Sequence, residues 1–248
     1  MINVQQTMVL AALTLAGVQV RSPDELLRRS DVGAFAPSSF RAHLILTNPA
    51  RHESHEIEVW RSGESKTLIR LLDRKERGRY LLRLAGEVWF IAPGAKNSIH
   101  LSPSYRLYGG ATLDEVLGLR LARTYRVESM SREHDPDGAL AVFELRAKSD
   151  GALFPQVRYV VREATERPVS ATYRLRSGRE ATSVAFFNWN DHGPVYARKV
   201  VVKDLLRKGT ITEVEIRDLQ ERPIPDGLFS LADASARRAL ESAAAKQP

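Results

Sequence analysis

The 248-residue chain has a formal net charge of +7, and 43% of its residues are hydrophobic, which is the composition of a globular protein. It contains no cysteine, which excludes disulfides, thiolate metal sites, cysteine nucleophiles and a lipidated N-terminal cysteine. Its excess positive charge is spread as scattered arginines without a nucleic-acid-binding motif, so nucleic acid is not an expected partner.

Residues 1–20 are predicted to be a secretory signal peptide. Met8 to Gly17 form the apolar stretch MVLAALTLAG, which is too short to span a bilayer but typical of the apolar core of such a peptide. Met1 to Gln6 carry no lysine or arginine, so the alternative is a first helix packed on the core or a wrongly assigned start codon.

A capped helix is predicted to follow. Ser22 can accept a hydrogen bond from the first helical turn, Pro23 suits the first helical position, and Glu25 completes a capping box. We expect this helix to end near Gly33.

Alternating apolar and polar residues then predict a long series of β-strands. The strands are expected over residues 39–48, 55–60, 66–72, 79–84, 87–92, 120–134, 139–148, 156–163, 169–176, 180–190, 195–204 and 210–218. Short turns, such as the one at Asp135 to Gly138, separate them. A second capping box, Thr112 to Glu115, predicts one short helix within the series.

One face of these strands is aliphatic and aromatic, and the other carries arginine and glutamate. In residues 79–84, this reasoning places Tyr80, Leu82 and Leu84 on the apolar face. The arginines expected to face outward are Arg70, Arg79, Arg83, Arg158, Arg162, Arg174 and Arg176. They form either a soluble face held by ion pairs or a positive surface that docks on anionic headgroups or an acidic partner.

The chain is therefore predicted to be mostly β, an antiparallel meander that curls into a barrel or half-barrel. No linker divides it, so residues 21–231 are expected to form a single domain. Residues 232–248 form an alanine-rich tail that is either helical or frayed.

Five segments together resemble the outer-membrane lipoprotein-sorting proteins, the LolA-like family. They are Ile57-Glu58-Val59-Trp60; Lys66 to Arg70 with Gly78 to Leu82; Glu87-Val88-Trp89-Phe90-Ile91-Ala92-Pro93; Thr112 to Leu119 with Thr124-Tyr125; and Ile224-Pro225-Asp226-Gly227-Leu228-Phe229. The order of these segments carries the resemblance over roughly residues 22–231. The sequence departs from the family pattern at Ile91, where an aromatic residue is usual.

The resemblance implies an unclosed barrel of about eleven antiparallel strands, with short helices covering an apolar cavity. It also implies a periplasmic carrier that moves a lipid or an acylated lipoprotein between the inner and outer membranes. The partners would be that lipid or lipoprotein, an inner-membrane transporter and an outer-membrane acceptor, and the carrier would be a monomer without a cofactor. A lipid-sensing regulatory module and an enzyme on a hydrophobic substrate are the alternatives.

Carriage of an acyl chain needs an apolar lining and no catalytic group. The residues expected to line the cavity are Leu44, Leu46, Ile57, Val59, Ile69, Leu82, Phe90, Tyr159 and Tyr173. The alternative is that these side chains pack as ordinary core.

Enzyme and metal chemistry find little support in the sequence. A G-x-S-x-G nucleophile motif is absent. His52 and His55 fall in a segment predicted to be turn and strand, where a three-residue offset places the two side chains on opposite faces, so no metal site is predicted. No catalytic residue is predicted either.

Overall fold

A computed structural model describes residues 22–34, 37–95, 97–102, 105–108, 111–112, 121–150, 152–207 and 210–244. The predicted signal peptide lies outside these residues, as does most of the helix predicted after Thr112. Within the described ranges, no helix is both long and apolar enough to cross a membrane.

Thirteen strands form one antiparallel sheet. They are β1 (Ser39–Asn48), β2 (Glu53–Ser62), β3 (Lys66–Leu71), β4 (Tyr80–Leu84), β5 (Glu87–Ile91), β6 (Ile99–Leu101), β9 (Tyr125–Asp135), β10 (Gly138–Ala147), β11 (Gln156–Arg162), β12 (Arg167–Arg174), β13 (Glu180–Trp189), β14 (Ala197–Asp204) and β15 (Thr210–Glu221). Two short strands, β7 (Arg106–Tyr108) and β8 (Ala111–Thr112), pair separately.

The sheet is open, as predicted. Its strand order is β6-β5-β4-β3-β2-β1-β15-β14-β13-β12-β11-β10-β9, so β6 and β9 are its two edges and are not hydrogen-bonded to each other. The additional edge strand β6 was not predicted, because its three residues are too few to show an alternation.

The first strand of the sheet sits at its centre. β1 alternates strictly between buried and half-buried residues, and it pairs with β2 on one side and β15 on the other. Leu44 lies opposite both Ile57 and Ile216, so one apolar row crosses the join between the two halves of the sheet. We call the face that carries this row the inner face.

Helix α1 (Pro23–Ala34) begins as predicted, with the Ser22 hydroxyl accepting a hydrogen bond from the Glu25 amide at 3.3 Å. Its buried residues Leu26 and Leu27 join the apolar cluster of the inner face.

The strand predicted from residue 120 begins only at Tyr125. Leu121–Thr124 forms a one-turn helix, α2, because the buried carboxylate of Asp31 on α1 accepts hydrogen bonds from two of its amides. Asp31 Oδ1 lies 2.8 Å from the Leu121 nitrogen, and Oδ2 lies 3.0 Å from the Ala122 nitrogen. A tertiary contact therefore overrides the strand pattern at this point.

The C-terminal segment packs on part of the opposite face of the sheet, which we call the outer face. A 3-10 helix (Asp226–Phe229) and helix α3 (Ser235–Ala244) follow β15, so the alanine-rich tail is helical over these residues. Ile224, Leu228 and Phe229 pack there against an apolar patch formed by Trp60, Leu68, Tyr80 and Leu82.

We expect Asp31→Ala to lower the free energy of unfolding by about 2–3 kcal/mol, because the variant leaves two helical amides without their charged acceptor. Urea denaturation of the variant and the parent chain measures this difference. Asp24→Ala, in the exposed first turn of the same helix, is the control and should cost less than about 1 kcal/mol. Equal losses in the two variants would contradict the bridging role of Asp31.

Candidate functional site

The inner face carries most of the residues that were predicted to line a cavity. Eight of the nine belong to its apolar cluster, seven of them buried and Phe90 half-buried. The seven buried residues are Leu44, Leu46, Ile57, Val59, Ile69, Tyr159 and Tyr173. The structure thus brings together side chains from both arms of the sheet that are more than a hundred residues apart in the sequence.

Leu82 lies on the outer face together with Tyr80 and Leu84, so the predicted place of these three residues on the inner face is wrong. The register pairs Leu68 with Leu82 and Ile69 with Leu81, which puts Leu81 beside Ile69 on the inner face. The pattern of β4 misleads because both of its faces are apolar: Leu82 packs in the patch under the C-terminal segment, and Leu81 packs in the inner cluster.

Arg83 lies two residues after Leu81 on β4, so it also falls on the inner side. Arg83 lies opposite Thr67 and Val88, and Thr67 in turn lies opposite Arg61. Arg61 is buried, and its Nε donates a hydrogen bond to the Gly63 carbonyl at 3.2 Å. The prediction that Arg83 faces outward is therefore wrong. Arg61 was not predicted to lie on the inner face, although it follows Val59 by two residues and the strand alternation puts both on the same face.

One of the buried tyrosines of the inner face, Tyr159, lies close to the Asp31 carboxylate. Tyr159 is buried, and its ring lies 6.3 Å from that of Phe143. Burial, and secondarily the negative charge of Asp31, raise the pKa of the Tyr159 hydroxyl above its ordinary value. The hydroxyl therefore stays protonated and uncharged at neutral pH. This environment suits an apolar ligand better than an ionic one.

His55, one of the two histidines considered as metal ligands, stacks on an aromatic ring. The His55 ring stacks on Tyr108 with 3.8 Å between ring centroids, and its Nδ1 lies 2.5 Å from the Asp73 carboxylate. In the described part of the chain, no three His, Asp or Glu side chains are grouped so that they could hold a metal ion.

Most of the predicted outward arginines are engaged by carboxylates. Arg158 Nη2 lies 2.7 Å from Glu133, Arg174 Nη1 lies 3.0 Å from Glu144, and Arg162 Nη2 lies 2.9 Å from the Asp135 carboxylate. The Arg162 hydrogen bonds lower the pKa of Asp135. These pairs favour the interpretation of a soluble, charge-balanced face over that of a positive docking surface built from these residues.

A more deeply buried group of three charged residues is centred on β2, in the other arm of the sheet. Glu58 is 3% exposed and accepts hydrogen bonds from Arg41 and from Arg70, whose Nη2 lies 2.6 Å from Oε2. Arg70 also lies over the Trp60 ring, with its Cζ 5.6 Å from the centroid. The three charged groups tie β1, β2 and β3 together on the outer face.

The comparisons with known proteins agree with this architecture. A protein-family model with the description "Uncharacterized protein" matches residues 63–233. None of the curated proteins matches the sequence at a significant level.

Three solved structures share the fold. A LolA superfamily protein from Nitrosomonas europaea is 22% identical with a TM-score of 0.74, and the match covers 83% of this chain and 96% of that one. A putative outer membrane lipoprotein-sorting protein domain from Vibrio parahaemolyticus is 16% identical with a TM-score of 0.70, over 88% of this chain and 97% of that one. A DUF1329 family protein from Desulfovibrio piger is 13% identical with a TM-score of 0.70, over 84% of this chain and 95% of that one.

We expect Glu58→Ala to lower the free energy of unfolding by about 3–5 kcal/mol, because it leaves two arginines without the buried carboxylate that they share. Glu213→Ala is the matched control: Glu213 pairs with Lys199 at 2.8 Å in a half-exposed position, and its loss should cost less than about 1 kcal/mol. Chemical denaturation of both variants checks the difference, and a loss of less than about 1 kcal/mol for Glu58→Ala would refute it.

Proposed function

Since the chain belongs to the protein family matched over residues 63–233 and has the LolA-superfamily fold, we propose that it is a non-enzymatic periplasmic lipid carrier. Its cargo would be a lipid or the acyl chain of a lipoprotein, held against the inner face. The protein would receive that cargo from an inner-membrane transporter and deliver it to an outer-membrane acceptor. Two of the solved structures that share the fold, a LolA superfamily protein and a putative outer membrane lipoprotein-sorting domain, support this class of function.

The observation that carries the proposal is an apolar inner face on a sheet that does not close. Among the described elements, α1 and α2 contact β9, and α1 also contacts β12. The inner face of the other arm, on β1 to β5, carries apolar side chains of the same cluster. The edges β6 and β9 are not hydrogen-bonded to each other, and we infer that an acyl chain enters between them.

Half-buried members of the cluster mark where a ligand would make its first contacts. They include Phe90, Leu101, Trp189 and Leu219, which line the inner face without being fully enclosed. Each methylene removed from water contributes about 0.8 kcal/mol, so a chain of about fourteen carbons contributes on the order of 10 kcal/mol before the costs of binding. Apolar contact is therefore sufficient for tight binding.

The polar groups beside α1 do not oppose such a ligand, whereas Arg61 and Arg83 lie on the inner side toward the ends of β2 and β4. Tyr159 stays neutral, and the Asp31 carboxylate is engaged by the two amides of α2. A lipid sensor would use the same face and would differ from a carrier only in the step after binding, so binding is the first property to establish.

Native mass spectrometry of the protein purified from the periplasm, with lipid extraction of the same sample, is the first test. We expect a co-purifying lipid or acylated peptide, because the inner face should not be left empty in a compartment bounded by two membranes. A ligand-free protein that also fails to take up a dansyl fatty acid would refute the proposal.

We expect Phe90→Glu to weaken binding of the dansyl fatty acid at least about tenfold, because it places a carboxylate among the apolar contacts of the ligand. Phe187→Glu is the matched control, since Phe187 is an exposed phenylalanine on the outer face of β13. Fluorescence titration of the two variants and the parent chain measures the effect. Equal affinities for all three would show that the ligand does not contact this part of the inner face.

A further inference from the structure

A second concave site lies on the outer face, away from the inner face to which the proposed carrier function is assigned. It is a groove of about 720 Å³ between the β4 and β5 ends of the sheet and the C-terminal segment. This volume is typical of small-molecule sites in proteins. Ile91 and Pro93 form one wall, and Leu231 with the first turns of α3 forms the other.

Arg237 is the unusual residue of this groove. It lines the groove from the first turn of α3 and is only 4% exposed. One of its terminal nitrogens, Nη1, donates hydrogen bonds to the backbone carbonyls of Leu228 and Ser230, which fix the guanidinium in place. Burial lowers its pKa, but an arginine remains charged at neutral pH.

No carboxylate of the described residues lies within salt-bridge distance of the guanidinium. The nearby acid, Asp233, acts on Arg237 through its charge alone, because its two oxygens accept hydrogen bonds from the Ser235 amide at 2.7 Å and the Ser235 hydroxyl at 2.9 Å. Arg238 adds a second positive charge to the lining of the groove. Among the described lining residues, one carboxylate and two guanidinium groups give an excess of one positive charge.

A buried cation is costly unless a counter-charge and hydrogen bonds compensate it. Two neutral carbonyls compensate Arg237 only in part, and they bind one of its three nitrogens. The planar fork of a guanidinium is suited to the paired oxygens of a phosphate or a carboxylate. The apolar walls on both sides would be covered by a hydrocarbon portion attached to that anion.

We propose that this groove binds an anionic amphiphile, with the phosphate or carboxylate of the ligand on the Arg237 guanidinium and its apolar portion between Pro93 and Leu231. The site is independent of acyl-chain binding on the inner face, because the sheet separates the two.

Calorimetric titration with dihexanoyl phosphatidic acid, in parallel with inorganic phosphate, tests the proposal on the full chain. The phosphatidic acid should bind at least about tenfold more tightly than inorganic phosphate, since only the lipid covers the apolar walls. Equal affinities would overturn the amphiphile assignment, because they would indicate a site for free anions.

Arg237→Met should weaken binding of the phosphatidic acid about tenfold or more, since it removes the charged hydrogen bonds while keeping an apolar side chain of similar length. Arg179→Met makes the same charge change in the exposed turn before β13 and should leave the affinity within about twofold. Wild-type affinity in a folded Arg237→Met variant would overturn the proposal.

A second variant keeps the test decisive if Arg237→Met fails to fold. Ser242 is an exposed residue of α3 that lines the groove, so Ser242→Trp should fill the groove without disturbing the core and should abolish binding. Unchanged binding in Ser242→Trp would also overturn the proposal.

The Phe90→Glu variant separates the two sites. It should retain binding of the phosphatidic acid in the groove while losing the dansyl fatty acid, whereas Arg237→Met should do the reverse. Loss of both ligands in either folded variant would show that there is one site and would overturn the assignment of the groove.

Discussion

The pairing of β1 with β15 is the interaction on which the rest of the structure depends. It joins strands that are about 170 residues apart and converts two antiparallel arms, β2 to β6 and β9 to β14, into one sheet. Closing so long a loop costs conformational entropy before any contact is gained. The cost is offset because Leu44 and Leu46 on β1 face Ile216 and Val214 on β15, so that the inner rows of the two arms become continuous.

The apolar residues on the outer faces of the two arms are shielded from water in different ways. The outer face of β9 to β12 combines a small buried apolar cluster, formed by Leu140, Val142 and Val160, with ion pairs such as those of Arg158 and Arg162. The outer face of β2 to β4 is apolar and buried, and the C-terminal segment lies over it. The groove beside Arg237 forms along the margin of that cover, where the segment leaves the sheet and α3 begins.

This difference explains how much could be predicted from the sequence. Strands with one wet face, such as β1 and β12, show a clean alternation, and their faces were predicted correctly. β4 reads Tyr-Leu-Leu-Arg-Leu and is buried on both sides, so its alternation does not choose a face, and Leu82 was placed on the wrong one. Which residues of β4 lie on the outer face depends on the position of the C-terminal segment, which is a tertiary contact. The same holds for α2, whose start depends on Asp31, a residue 90 positions earlier in the chain.

The candidate sites were predictable to a similar degree. The apolar character of the inner face follows from strand periodicity, since seven of its predicted residues are fully buried there. The groove could not be predicted, because its components come from β4, β5 and the C-terminal helix and have no shared pattern in the sequence. Arg237 in particular is one of two adjacent arginines, and only the fold distinguishes the buried one from the exposed one.

The buried charged groups of the two faces differ in how far their neighbours compensate them. On the inner face, the carboxylate of Asp31 is bound by two amides, and the nearby phenol of Tyr159 is held neutral, so the local charge is already compensated. In the outer groove, the hydrogen bonds that Arg237 makes with described residues go to two carbonyls, and Arg237 and Arg238 outnumber the single carboxylate of Asp233, so the site is open to an anion. The sheet lies between the two sites, which favours a separate occupant for each of them. If the inner face holds the acyl chain of a cargo, the groove is therefore placed to engage a different molecule, and anionic headgroups at a membrane surface have the chemistry that it would recognise.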